Sequence, residues 1–299
     1  MQRSDGSAKA WENMMRDLGA FAKAAAPFAD GLIEPEVAIV LPQSYQLSVS
    51  NALALEAQQS AVRVLYHYAR SEAYAVGEYQ SQLLGSPKLI LLPSPFGLTD
   101  AAWQEIEQRV RAGAVLLVSG PFGEDPHFHE TGRQDAIGLP YRSEPLTVRE
   151  TLFHFPGGAE LLEFSGTKTT VLSRAALPSG VDWQEKTVGK GKILFSAWPL
   201  ELNGNLQAIA DVYSYALKAA NVSSVYSTTL KDPGILICPT RFPKATLYVL
   251  TSESNQSEVS FEDLRSGKRF SGELASGRAA LLLVGTDGKL LATYNWPNR

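Results

Sequence analysis

Apolar positions follow two rhythms along this chain, and the change between them falls near Asn221. In the first part, Trp11, Met14, Met15, Leu18, Phe21, Ala22 and Ala25 recur three and four residues apart, which draws one stripe along a helix over 8–26. Asp5 or Ser7 is placed to cap its start. From Glu36 the pattern turns to "VAIVLP", a nearly continuous apolar strand closed by Pro42, and then to a helix over about 53–70. "PKLILLPSP" (87–95) and "AVLLVSG" (114–120) repeat the strand signature. Between them "LTDAAWQEIEQRVRAG" predicts a helix capped at Thr99 and stopped by Gly113. From Pro121 to Gly189 the signals weaken into Gly, Pro and short alternating runs, an excursion of short strands. "GKGKILFSAWPLELN" then supplies a fourth strong strand over 192–198, and "NLQAIADVYSYALKAA" a closing helix with Asn205 near its cap. Strands that are apolar on both faces and alternate with helices predict an α/β fold: a parallel sheet with helices on both faces.

Beyond Asn221 the helical period disappears. Seven short runs, at about 225–230, 234–239, 245–251, 257–262, 269–274, 279–284 and 289–294, are rich in β-branched or aromatic residues and separated by "SGK", "ASG" and "TDGK" turns. They predict a small antiparallel β-sandwich. The charge shifts too: nine basic and seven acidic residues after Asn221 give +2, which leaves −6 of the net −4 for the rest. The expected organisation is an N-terminal helix and linker over 1–34, an α/β domain over 35–221 and a β-sandwich over 222–299. The first helix, with a strong apolar face and nothing ahead of it, reads as the remnant of something longer.

Composition narrows the partners. At 299 residues two domains are expected, and 44% hydrophobic with 19% charged residues is the profile of a folded chain. With net charge −4 and "GKGK" at 189–192 as the densest basic spot, nucleic acid is not an expected partner. The single cysteine, Cys238 in "ILICPT", excludes an internal disulfide framework or a Cys-rich metal site and reads as a buried strand residue. The amino end carries charges throughout with no apolar core, and no window reaches the ~20 apolar residues of a membrane span. The chain therefore reads as soluble and cytoplasmic.

Chemistry belongs at the carboxyl ends of a parallel sheet, so 42–48, 93–98, 119–125 and 198–203 should share one rim. Ser119, at the end of "GAVLLVSGPFGED", raises the possibility of a nucleophile. Its pentapeptide "LVSGP", however, has Leu117 and Pro121 where a nucleophile elbow needs small residues, and Pro121 removes a backbone donor from any oxyanion hole. It reads as a serine satisfying a turn. In "EDPHFHE", His127 and His129 would point the same way in an extended segment, with Asp125 and Glu130 nearby as weak metal-ligand candidates. Glu124, Asp125, Glu130, Asp135 and Glu150 include no pair that the sequence fixes at the separation glycoside hydrolysis needs. Among aromatic platforms for a sugar, Trp198 at a strand end is the leading candidate and Trp183 the second, while Trp103 lies on a helical stripe and reads as core. No G-x-G-x-x-G or Walker loop follows any strand, so no cofactor is expected.

Taken together, these segments resemble the regions that follow the catalytic barrel in β-galactosidase-like glycoside hydrolases of the family 42 kind. "RSDGSAKAWENMMRDLGAFAKAAAPF" resembles the final barrel helix and its approach. "VAIVLP", "PKLILLPSP", "GAVLLVSG" and "GKGKILFSAWPLEL" resemble the flavodoxin-like, class I glutamine-amidotransferase-like domain that mediates trimer formation in those enzymes. The last 75 or so residues resemble their small carboxyl-terminal β domain. The resemblance implies a non-catalytic accessory and oligomerisation region of a glycosidase, whose partners are an upstream barrel or a neighbouring subunit. It implies no catalytic residue here, since the family's catalytic glutamates lie on the barrel, and no amidotransferase reaction, since Ser119 stands near the place of that enzyme's cysteine. The alternatives are a stand-alone carbohydrate-binding protein using Trp198, and a small hydrolase or metalloenzyme using the strand-end loop 119–150.

Overall fold

The computed structural model describes residues 10–48, 51–253 and 257–296, and the expected caps Asp5 and Ser7 lie outside them. The chain divides into two compact units. One comprises Pro35–Ala69 and Ala73–Ser223; the other comprises the residues through Glu34, the segment Arg70–Glu72 and the chain from Ser224 onward. The first helix, α1 (Ala10–Ala25), thus belongs with the carboxyl-terminal strands and not to a segment of its own over 1–34.

In the α/β unit the described strands are β1 (Val37–Leu41), β2 (Tyr74–Gly77), β3 (Leu89–Leu92), β4 (Val115–Ser119), β5 (Arg142–Pro145), β6 (Glu150–Phe155), β7 (Gly158–Glu163), β8 (Ser173–Ala176), β9 (Trp183–Val188) and β10 (Gly191–Ser196). Six of them form one sheet in the order β2-β1-β3-β4-β10-β9. Pairing is parallel from β2 through β10. The expected parallel sheet gains an antiparallel strand at its edge, where β9 runs antiparallel to β10. Only Gly189 and Lys190 separate these two strands, a connection too short for the crossover that parallel strands need. Gly189 takes φ +61° in that turn, and a Cβ there would meet the Arg111 backbone at 2.6 Å. β3 and β4 are buried along their whole length, which is why their sequences are unbroken apolar runs. Edge strand β2 announces itself poorly because only Val76 of its four residues is buried.

The helices of this unit are α2 (Gln43–Gln46), α3 (Asn51–Arg63), α4 (Asp100–Ala112), α5 (Arg133–Ala136) and α6 (Leu206–Ala219), with a π-helical turn continuing α3 over Val64–Ala69. The expected caps hold: Thr99 Oγ1 accepts from the Ala102 amide at 3.3 Å, and Asn205 Oδ1 accepts from the amides of Gln207 and Ala208. Gly113 ends α4 at φ +134°. The excursion contributes two small antiparallel ladders, β5 with β8 and β6 with β7.

In the other unit the seven expected runs are all strands: β11 (Tyr226–Thr228), β12 (Ile235–Arg241), β13 (Ala245–Ser252), β14 (Ser257–Asp263), β15 (Lys268–Leu274), β16 (Ala279–Gly285) and β17 (Leu290–Tyr294). They make two antiparallel sheets, β11-β14-β15 and β12-β13-β16-β17. Alternation assigns their faces. Tyr248, Leu250, Leu282 and Val284 enter a core shared with Phe261 and Leu274 of the smaller sheet. On the other face Ala245, Leu247, Leu281 and Leu283 meet Phe21 and Ala25 of α1. The amino-terminal half of the same helical stripe, at Trp11, Met14 and Met15, stays exposed. Cys238 lies on β12 half-buried, its thiol pushed up to about 11 by burial. Among the described residues no helix is long and apolar enough to cross a membrane.

Candidate functional site at the strand ends

The four expected rim segments do converge. β3 delivers Ser94 and β4 delivers Ser119, and the chain after β10 turns back to place Glu201 between them. Ser119 Oγ accepts from the Ser94 amide at 3.1 Å and donates to Glu201 Oε2. Ser94 Oγ donates to the same oxygen at 2.7 Å, and the Tyr213 hydroxyl of α6 donates to Oε1 at 2.9 Å. The knot is sealed: Ser94 and Ser119 are 0% exposed and Glu201 is 1% exposed. Burial pushes the Glu201 carboxyl up from its ordinary value, against the pull of the donating hydroxyls. The Tyr213 hydroxyl is pushed well up by burial and by the adjacent acid. A nucleophilic serine needs a base and an approach path. Ser119 is instead bonded to a carboxyl that burial favours in its neutral form, and it has no opening to solvent. Backbone strain collects here as well, with Ser94 at φ +41° and Phe96 at φ +53°. Gly120 is at φ +72°, where a Cβ would come within 3.2 Å of Pro199.

Two further clamps hold the rim. Glu78, 1% exposed, accepts from the Ser44 amide and hydroxyl and from the Thr99 amide, tying the turn after β1 to the start of α4. Arg133 donates to the Leu98 carbonyl at 2.9 Å and to Asp100 at 2.7 Å, fixing the loop after β4 to the loop after β3. The same two loops are joined by the Leu98 amide donating to the Glu124 carbonyl at 3.0 Å.

The histidine loop is a turn, not the extended segment its alternation suggests. Asp125 Oδ1 accepts from the amides of His127 and His129 at 2.7 and 2.9 Å, and Phe128 takes φ +64°. Those amides are the first cause of the lowered Asp125 pKa. The His127 and His129 ring centroids stand 6.2 Å apart, and Asp125 meets the His129 ring at 3.3 Å. The carboxylate is committed to the backbone. Among the described residues no three His, Cys, Asp or Glu side chains gather as a metal-holding group, so Asp125, His127, His129 and Glu130 do not come together as one site.

The aromatic candidates lie on β9, on α4 and just after β10. Trp198 is 5% exposed. Its indole donates to Asp182 Oδ1 at 2.7 Å, its ring stacks on Phe164, and Arg174 lies 5.0 Å over it. The open stacking face expected of it is therefore covered. Trp183 packs among Phe153, Phe155 and Tyr215, and its indole reaches Glu185 at 3.3 Å. The Tyr215 hydroxyl donates to that carboxylate at 2.5 Å, which raises the tyrosine to about 12. One edge of Trp183 lines a groove of about 410 Å³ with His154, Phe155, Val181 and Asp182. Trp103 is buried against Phe122. Sequence reasoning passed over Glu201, Ser94 and Glu78. The signal for Glu201 is a lone acid in the apolar "AWPLELN", where an unpaired charge is rare unless donors surround it.

No protein-family model matches this chain, and no curated protein matches it by sequence. Its fold does match solved structures. A GH42 β-galactosidase from G. stearothermophilus aligns with TM-score 0.64 at 12% identity over 95% of this chain. The β-galactosidases from Bacillus circulans sp. alkalophilus and Rahnella sp. R3 align with TM-scores 0.63 and 0.61, each at 13% identity, over 91% and 92% of it. The alignment takes in only 45%, 45% and 44% of those proteins, so this chain spans less than half of their length. The chain has a mixed α/β fold shared with part of GH42 β-galactosidases.

Proposed function

We propose that this chain is a non-catalytic accessory region of a GH42-like glycoside hydrolase. Its flavodoxin-like, amidotransferase-like α/β domain would supply area for packing against a catalytic barrel or a neighbouring subunit, and a small β-sandwich would complete it. The observation that carries the reading is the alignment itself, which takes in nearly all of this chain and under half of each β-galactosidase. The sealed Ser94–Ser119–Glu201 knot supports it, because the sheet's usual reactive position is filled with structural hydrogen bonds. The decisive experiment incubates the purified chain with aryl β-galactosides and measures its mass in solution by light scattering. No turnover together with a discrete oligomer is the expected outcome. Turnover that Ser119→Ala abolishes would overturn the reading, and a strict monomer would remove its oligomerisation part.

A second reading, that the chain binds carbohydrate itself, is favoured by the groove beside Trp183. There an aromatic edge stands next to the Asp182 and His154 side chains, which lie 3.9 Å apart. Calorimetric titration with galactose and β-galactosides tests it. Binding lost in Asp182→Asn would support it, and heats indistinguishable from dilution would remove it.

A further inference from the structure

The loop after β4 folds over a small crevice lined by Glu124, Glu130, Gln134, Tyr141 and Ser143. Its volume of about 20 Å³ suits one water or one bare ion. Glu124 and Glu130 are antiparallel bridge partners. That geometry sends both side chains to the same side with Cβ atoms ~5 Å apart, where like charges repel. Among the described residues no side chain pairs with either carboxylate, and the charges acting on Glu124 are Glu130 and Asp125, both of its own sign. Arg133, the nearby cation, is turned to Leu98, Asp100 and Thr131. The back wall supplies an independent sign of a missing occupant. Gln134 is 7% exposed, and its Oε1 has no hydrogen-bond partner among the described residues. A buried amide oxygen left unbonded is costly and uncommon. The Tyr141 hydroxyl, on the same crevice wall, accepts from the Phe122 amide at 2.6 Å.

We infer that this crevice is a site for one hard cation of the calcium type, held by Glu124, Glu130 and the Gln134 side-chain oxygen. The donors are all oxygens, which suits calcium and not a zinc-like ion. Two carboxylates and one neutral oxygen give a weak site, with an expected dissociation constant of about 1 mM. Binding would offset the repulsion between the glutamates and pin the loop after β4 to the rim.

The test uses the intact chain, stripped with chelator and titrated with Ca²⁺ by calorimetry and with Tb³⁺ by emission sensitised through Tyr141. One ion per chain is expected, with Ca²⁺ displacing Tb³⁺ and Glu130→Gln weakening binding roughly tenfold or more. Gln134→Glu adds a third carboxylate and should tighten binding roughly tenfold, a gain that misfolding cannot imitate. His129→Ala should leave the affinity unchanged. No response at ten times the ~1 mM expectation, or binding that neither the Glu130 nor the Gln134 variant alters, overturns the assignment.

Discussion

Two acids, Glu124 after β4 and Glu201 after β10, have opposite surroundings. Glu201 is wholly buried and meets three hydroxyl donors; Glu124 is part-buried and meets two acids. Burial raises the pKa of both, yet the meaning differs. At Glu201 each carboxylate oxygen has a donor, so the group serves as a structural bolt joining β3, β4 and α6. At Glu124 charge of one sign faces an unbonded amide oxygen, and the arrangement is complete only with a cation. A perturbed acid marks a ligand site when its partners are missing, and a fastening when they are present.

The comparison can be broken most forcefully at the bolt. Glu201→Ala leaves three hydroxyls without their acceptor and opens a cavity, and should cost about 3 kcal/mol in urea unfolding. A loss below ~1 kcal/mol would mean the knot contributes little beyond its neighbours. Glu201→Gln keeps the shape and should cost about 1 kcal/mol near neutral pH. It should also remove a pH slope. The folded chain holds the Glu201 proton above the ordinary value of 4.5, so its stabilising share is full below that value and declines as pH climbs through the raised one. Unfolding midpoints across an acid-to-neutral series would show the slope in wild type and a flatter profile in the variant; parallel profiles would contradict the assignment.

A smaller effect is expected at Trp198→Phe, which removes the indole bond to Asp182 and should cost about 1 kcal/mol in urea unfolding. An unchanged unfolding midpoint would mean that this bond contributes nothing to the fold. Smallest is Glu130→Gln without added cation. Relief of the repulsion on Glu124 should raise stability by a few tenths of a kcal/mol, whereas in Ca²⁺ the same change should lower it. A variant whose sign does not change with Ca²⁺ would erase the contrast between the two acids.

Much of the fold was legible beforehand. Strands β1, β3, β4 and β10, helix α4 with its caps and all seven carboxyl-terminal strands follow from local pattern, because burial on two faces or one leaves a mark on the residues themselves. β2 was not legible, since an edge strand with one buried residue carries no such mark. The reversal of β9 was hidden in a two-residue turn. The rim could be located in outline but not its chemistry: Ser119 was visible as a strand end, while its partner Glu201 lies 82 positions away.

The sequence by itself determined where the well-buried strands and the longer helices form, that Ser119 lacks the small neighbours of a reactive elbow, and that two kinds of sheet succeed one another. Only the tertiary structure decided that Trp198 turns inward, that Asp125 accepts from backbone amides, and that Glu124 and Glu130 face one another over an unbonded amide oxygen. The reason is range. Element type follows from the periodicity of neighbouring residues, whereas burial, hydrogen-bond partners and charge pairing are set by residues brought together from distant parts of the chain.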